Sequence, residues 1–174
     1  MERLQLARDI NQIAHCTGTF KLRSGRTSSE YFDKYQFESD PRLLKAIATE
    51  LKPMIPTDTE ILAGLEMGGI PIATALSLET GLPSVLVRKE AKTYGTQKLA
   101  EGPDIGGKKL LIVEDVITSG GQVIASAGDL RKLNANIDNV ICVIDRQEGG
   151  RENLQQHGLN LISLFTAEDL KGAN

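Results

Sequence analysis

The chain has 174 residues, 40% of them hydrophobic and 25% charged, the make-up of one globular unit with room for a sizeable core. A net charge of −3 argues against a surface built for nucleic acid or an anionic membrane, so an anionic ligand must be caught by basic residues gathered locally. No apolar run approaches membrane-spanning length and the first residues lack a secretory-signal layout, which points to a cytoplasmic protein with Cys16 and Cys142 as reduced thiols.

In chain order, Leu6, Ala7, Ile10, Ile13 and Ala14 recur at helical spacing, and His15 falls at the end of that helix. Residues 31–37 suggest a strand outside the main sheet. Asp40-Pro41 is a cap followed by a proline at the first helical position, and Leu44, Ile47, Ala48 and Leu51 carry the helix on. An apolar strand at 61–63, a glycine loop and a small-residue helix from about 70 to 78 come next. Strands are expected at Ser84–Val87, 109–114, 140–145 and 159–164, with helices near 123–133 and 152–157. Such alternation predicts an α/β fold, a central parallel sheet with helices on both faces. No repeat or linker divides it, so residues 1–174 read as one domain.

One stretch departs from that rhythm. Residues 90–107 are long, polar and glycine-punctuated, and loops of that length inside compact domains are usually functional or disordered. It is led in by Arg88, Lys89, Glu90, Ala91, Lys92, Thr93, Tyr94 and Gly95, a set with three cations and a phenol. Arginine clamps phosphate oxygens in pairs and lysine neutralises them, so the loop reads as a lid over an anion.

The most informative segment is Leu110 to Gln122. An apolar run ends in Glu114 and Asp115, continues through Val116 and Ile117, and passes Thr118, Ser119, Gly120, Gly121 and Gln122 into a helical pattern. Open α/β sheets bind ligands beyond the carboxyl ends of their strands, and a helix N-terminus favours anions. A phosphate seat beside two carboxylates suits a sugar phosphate, whose diol donates hydrogen bonds to acids that would repel the phosphate. Successive strand residues point to opposite faces, so both acids reach one ligand only if the strand is already turning at Asp115. A carboxylate placed there, at a strand's end, is expected to lie outside the core.

This segment resembles the signature of the type I phosphoribosyltransferases, which use 5-phosphoribosyl 1-diphosphate (PRPP). The resemblance implies the type I fold with a small N-terminal hood. It implies that 118–122 wrap the 5′-phosphate, with Val116 and Ile117 leading in, while Glu114 and Asp115 address the ribose. Two further motifs are similar to those of orotate phosphoribosyltransferases. Arg88-Lys89-Glu90-x-Lys92 ahead of Leu99-x-Glu101-Gly102 resembles their mobile loop, and Phe20-Lys21-Leu22-Arg23-Ser24-Gly25-Arg26 leading to Tyr31-Phe32 resembles their hood. Arg146, after the 140–145 strand, matches the arginine that meets orotate there.

The resemblance therefore implies transfer of the phosphoribosyl group from PRPP to orotate, giving orotidine 5′-monophosphate and pyrophosphate in pyrimidine biosynthesis. Asp115 and Lys92 are the implied catalytic residues. Arg88, Lys89, Lys92 and Tyr94 complete the PRPP site, and Thr118, Arg146, Arg23, Tyr31 and Phe32 are the implied orotate contacts. Mg²⁺ would ride mainly on PRPP rather than in a protein cage. The hood would span 1–40 and the mobile loop 89–107, with residues 89–102 donated to the neighbour in a homodimer. The chain departs from the common family pattern at Arg23 (often lysine), Gly68 (often lysine), Tyr94 (often histidine) and Glu114 (often aspartate). Backbone N–H groups at Met67, Gly68 and Gly69 can still form an anion nest.

Other readings carry less. A purine phosphoribosyltransferase would share the PRPP signature but bring no carboxylate for Arg146. A non-catalytic PRPP-sensing regulator should carry a nucleic-acid-binding extension, for which the chain offers no evident room. Gly102, Gly107 and Lys108 have the spacing of a Walker A loop, but Lys109 follows and the segment precedes a strand instead of leaving one. His15, Cys16, Cys142 and His157 lack zinc-ligand spacing.

Overall fold

The computed structural model describes residues 1–21, 25, 27–91, 95 and 98–173. Arg23, Lys92 and Tyr94, three of the expected site residues, lie outside the described residues.

Helix α1 (Arg3–Ala14) opens the chain, with Leu6, Ala7, Ile10 and Ala14 buried, and His15 caps its end. The chain then forms an antiparallel ribbon, β1 (His15–Lys21) with β2 (Thr27–Phe32). The strand expected at 31–37 is thus displaced toward the N-terminus. Asp33 ends it, because its carboxylate accepts from the Tyr35 N–H and the Gln36 amide and starts a short helix instead, α2 (Tyr35–Ser39). In α3 (Pro41–Leu51) the Asp40 side chain takes the Arg42 and Leu43 N–H groups, as the Asp-Pro signal predicts.

The remaining elements are β3 (Ile61–Leu65), α4 (Glu66–Thr80), β4 (Ser84–Val87), β5 (Ala100–Glu101), β6 (Lys109–Ile117), α5 (Gly121–Lys132), β7 (Asn136–Asp145), α6 (Gly150–Gln156), β8 (Asn160–Thr166) and α7 (Ala167–Gly172). They build one six-stranded sheet in the order β5-β4-β3-β6-β7-β8. All its pairings are parallel except β5 on β4, an edge ribbon of two residues. Central strands covered on both faces are apolar throughout, and β3 is buried at every position.

One face of the sheet packs on Leu6, Ile10, Phe37, Leu43, Ile47, Ile72 and Leu76 from α1 to α4 and on Leu170 of α7. The other face packs on Val123, Ala127 and Leu130 of α5 and Leu154 of α6. Helix α4 lies hard against the sheet because it can: a Cβ on Gly69 would stand 2.2 Å from the Val113 carbonyl oxygen. That close approach brings the first turn of α4 to the carboxyl end of β6, where the acids are. Among the described residues no helix is long and apolar enough to cross a membrane.

Candidate active site

Strand β6 does not turn at Asp115. It stays paired with β7 through Ile117 and Asp145, whereas its pairing with β3 stops at Val113 and Gly64. The expected turn is therefore corrected, and so is the expectation that Asp115 lies outside the core. Its side chain has no exposed surface. Where β3 gives way to α4, a space opens beside β6, and Asp115 fills it. One carboxylate oxygen accepts from the Val116 N–H and the other is 2.6 Å from the Lys34 ammonium. Glycine at 68 makes the space, since a Cβ there would lie 1.9 Å from Asp115 Oδ2.

Two further carboxyls crowd this point. Glu38 of α2 is 6% exposed, and among the described residues neither of its oxygens has a hydrogen-bond donor. Burial first, then the facing Asp115, pushes its carboxyl up to about 9. Glu114 is raised well above the usual carboxylate range by burial and then by Asp115. Partial burial opposes the charge on Lys34, but Asp115, with Glu114 behind it, raises its pKa overall. One ammonium cannot balance three carboxylates in a low-dielectric site, so Glu38 holds its proton at neutral pH and Glu114 is shifted in the same direction. Neither Lys34 nor Glu38 stands out in the sequence, since they sit in a short stretch with no motif around them.

Beyond Ile117 the chain forms the loop that the sequence marks as a phosphate cradle. Thr118 and Ser119 are exposed, Gly120 takes a positive φ of 75°, and α5 begins at Gly121 with no side chain capping it. The first N–H groups of α5 are thus free for an anion. Gln122 is exposed at that first turn and its amide bonds Ser126 at 3.4 Å. The loop is held from behind by α6: Asn153 donates to the Ser119 carbonyl at 2.7 Å, and a Cβ on Gly150 would stand 2.3 Å from the Thr118 carbonyl.

A second uncapped helix start faces the same edge. Helix α4 begins at Glu66 with no side-chain cap, which leaves the N–H groups of Met67 and Gly68 open as an anion nest. Glu66 itself has a φ of 51°, in the left-handed region rarely used by such residues. Its carboxylate accepts the Lys89 N–H, tying the start of the cationic loop to the start of α4. Arg88 and Lys89 are exposed at the end of β4, and Arg88 Nε lies 3.8 Å from Glu101.

The expected hood residues meet Arg146 in a cavity of about 670 Å³, lined among others by His15, Tyr31, Phe32, Arg146 and Lys171. The Arg146 guanidinium lies over the Phe32 ring, 5.7 Å from its centre, and its Nε is 3.5 Å from Glu148. Among the described residues that buried Nε has no hydrogen bond, so beyond the Glu148 ion pair it keeps a donor for a ligand. Thr118 does not line this cavity. Lys171 is a cation that sequence reasoning passed over. It comes from α7, whose start is a Thr166–Asp169 capping box that the sequence does spell out. Cys142 is buried in β7, where burial raises its thiol, and Cys16 is half-buried; both are free.

The geometry is that of a phosphoribosyl carrier: two open helix starts for phosphates, acids between them, and a cationic cavity beside them. The phosphoribosyl transferase domain matches residues 35–158, and the chain belongs to that family. Its relatives place it among the orotate phosphoribosyltransferases. The protein of that name from Nocardioides sp. is 48% identical over 97% of this chain and 94% of its own length. The crystal structure of Mycobacterium tuberculosis orotate phosphoribosyltransferase with Fe(III) dicitrate superposes with a TM-score of 0.87, at 29% identity, over 97% of this chain and 98% of that one. The same enzyme solved in complex with PRPP gives 0.83, at 26% identity and the same coverage of the two chains.

Proposed function

We infer that the protein joins N1 of orotate to C1′ of PRPP, releasing pyrophosphate and forming orotidine 5′-monophosphate. The observation that carries this reading is the pair of uncapped helix starts with Asp115 and Glu114 between them, beside an arginine-lined cavity. Support for the substrates comes from the names of the relatives and from the PRPP complex of a close structural neighbour. Residues 118–122 would hold the 5′-phosphate through N–H groups and hydroxyls. The α4 start, with Arg88, Lys89 and Lys92, would take the pyrophosphate, and Tyr94 would add a hydrogen bond. Orotate would bind under Tyr31 and Phe32 with its carboxylate toward Arg146 and with Arg23 as a further contact, while Thr118, outside that cavity, would serve the phosphate.

Orotate nitrogen is a modest nucleophile, so cleavage of the C1′–O bond should run ahead of bond formation. Positive charge then develops on the ribose ring. Catalysis rests on placing the reactants and on fixed charge: Asp115 for the ring, the cationic loop for the leaving pyrophosphate. Mg²⁺ enters with PRPP as part of the substrate, since it binds phosphate oxygens while keeping several waters. The loop over 89–107 would close on the filled site and exclude water, and residues 1–40 would serve as the hood of one domain. A cytoplasmic homodimer sharing that loop completes the reading.

A steady-state assay with orotate, uracil, hypoxanthine and adenine tests it. Mg²⁺-dependent loss of orotate absorbance with PRPP is expected, and Arg146→Ala should raise KM for orotate about tenfold or more while leaving KM for PRPP nearly unchanged. Turnover of purines with none of orotate would leave only the wider family.

A further inference from the structure

The mechanism above uses Asp115 but leaves unexplained what aims it. Asp115 is buried at the junction of β6, α4 and α2 beside the Glu38 carboxyl of α2, and Asp115 Oδ2 and both Glu38 oxygens are buried with no hydrogen bond among the described residues. Both Glu38 oxygens are buried and, among the described residues, no N–H or O–H donor reaches either. Two facing carboxylates are acceptors only and would repel; they bond only when one carries a proton. The charged groups around Glu38 are Lys34, Asp115 and Glu114. Helix α4 presents Gly68 to Asp115, while α1 and α3 contribute apolar packing around Phe37, so among the described residues Lys34 is the counter-charge.

We propose that Glu38 is a positioning residue for phosphoribosyl transfer, its protonated carboxyl donating a hydrogen bond that fixes the Asp115 carboxylate while Lys34 holds it from the solvent side. The proposal rests on the reading of Asp115 as the fixed charge that favours the developing positive ribose ring. The proton stays on Glu38 throughout and takes no part in the chemistry. Its value is geometric: the Val116 N–H, the Lys34 ammonium and Glu38 together hold the Asp115 carboxylate in one orientation. Above the pH at which Glu38 loses its proton, a second negative charge faces Asp115 and the arrangement fails.

Glu38→Gln keeps a donor that does not titrate, and Glu38→Ala removes it. Infrared difference spectra of wild type minus Glu38→Gln at pH 7, without substrates, should show the C=O stretch of a protonated carboxyl. In the orotate assay kcat of wild type should fall on the alkaline side, and Glu38→Gln should keep most of the activity and lose that limb. Glu38→Ala should lower kcat about tenfold with KM for orotate little changed. Absence of the protonated band overturns the proposal, as does an alkaline limb that is the same in wild type and Glu38→Gln. Both comparisons stand even if Glu38→Ala does not fold. Failure of the wild type to use orotate would instead strike the substrate assignment, which the infrared band does not depend on.

Discussion

Gly68 and Asp115 compete for one volume: a Cβ at position 68 would stand 1.9 Å from Asp115 Oδ2. The carboxylate has little freedom to yield, because Lys34 and the Val116 N–H hold its two oxygens and it is fully buried. The glycine therefore has a reason independent of backbone flexibility. A lysine at this position, which the family resemblance leads one to expect, is incompatible with the present arrangement of Asp115. The cation beside the acid comes instead from Lys34, 2.6 Å from the same Oδ2.

Gly68→Ala should accordingly destabilise the fold by about 1–3 kcal/mol, the usual cost of overpacking. It should also displace Asp115 and lower kcat, with KM for orotate little moved because the Arg146 cavity is separate. Thermal melts and steady-state kinetics on the purified variant check both. Unchanged melting together with unchanged kcat would mean that α4 shifts to make room and that the close approach matters little.

Asp115→Asn tests the charge itself. Losing roughly 1.4–4 kcal/mol of electrostatic stabilisation would lower turnover about ten- to a thousandfold. An acid at a strand's end outside the core would change stability little on substitution, but burial against Lys34 adds a cost. The variant leaves the ammonium without its partner; Lys34 is 34% exposed and can turn to water, so the cost should stay near 1–2 kcal/mol. Thr118→Val, at an exposed loop position, should mainly raise KM for PRPP and leave the melting temperature unchanged.

Stability should also respond to pH through Glu38. Its carboxyl is raised from the usual 4.5 to about 9 in the fold, so between those values the native state binds a proton that the unfolded state releases. Stability from this group is complete below about pH 4.5, declines as pH rises, and levels off above about 9. Glu38→Gln removes the decline. At pH 8 the variant should be more stable than wild type by about 1–3 kcal/mol, or roughly 3–10 °C in Tm, and the gap should narrow at pH 5. Parallel Tm–pH curves for the two proteins would contradict a protonated Glu38.

The frame of the molecule was legible because central strands announce themselves: β4 lies at the bounds read from its apolar run, and β3, β6, β7 and β8 differ only at their ends. The phosphate loop was legible for the same reason, as a glycine turn fixed between a buried strand and a helix. The ribbon β1–β2 was hidden, since its residues are largely exposed and show no apolar period. Helix α2 was missed because a single Asp33 side chain starts it. Lys34 and Glu38 escaped notice because what makes them important is Asp115, far along the chain, and tertiary proximity leaves no local pattern. Reading Asp115 as a strand-end acid failed on one point: β6 keeps its β7 partner for several residues after losing β3.

The last prediction concerns assembly. If the loop over 89–102 serves the neighbouring subunit, the enzyme must be at least a dimer with two equivalent shared sites. Lys92→Ala damages only a donated loop, and Asp115→Asn damages only a receiving core. When the two inactive proteins are mixed after dissociation, each mixed dimer pairs one intact core with one intact loop, while its other site carries both defects. Random pairing in equal amounts makes about half of the dimers mixed, so about a quarter of wild-type activity should return for a two-fold assembly. The readout is orotate consumption before and after subunit exchange, with exchange itself verified by native mass spectrometry of differently labelled chains. No recovery despite complete exchange would mean that the loop closes over its own subunit. The acids, the uncapped helix starts and the Arg146 cavity would keep their roles, since every one of them belongs to a single chain.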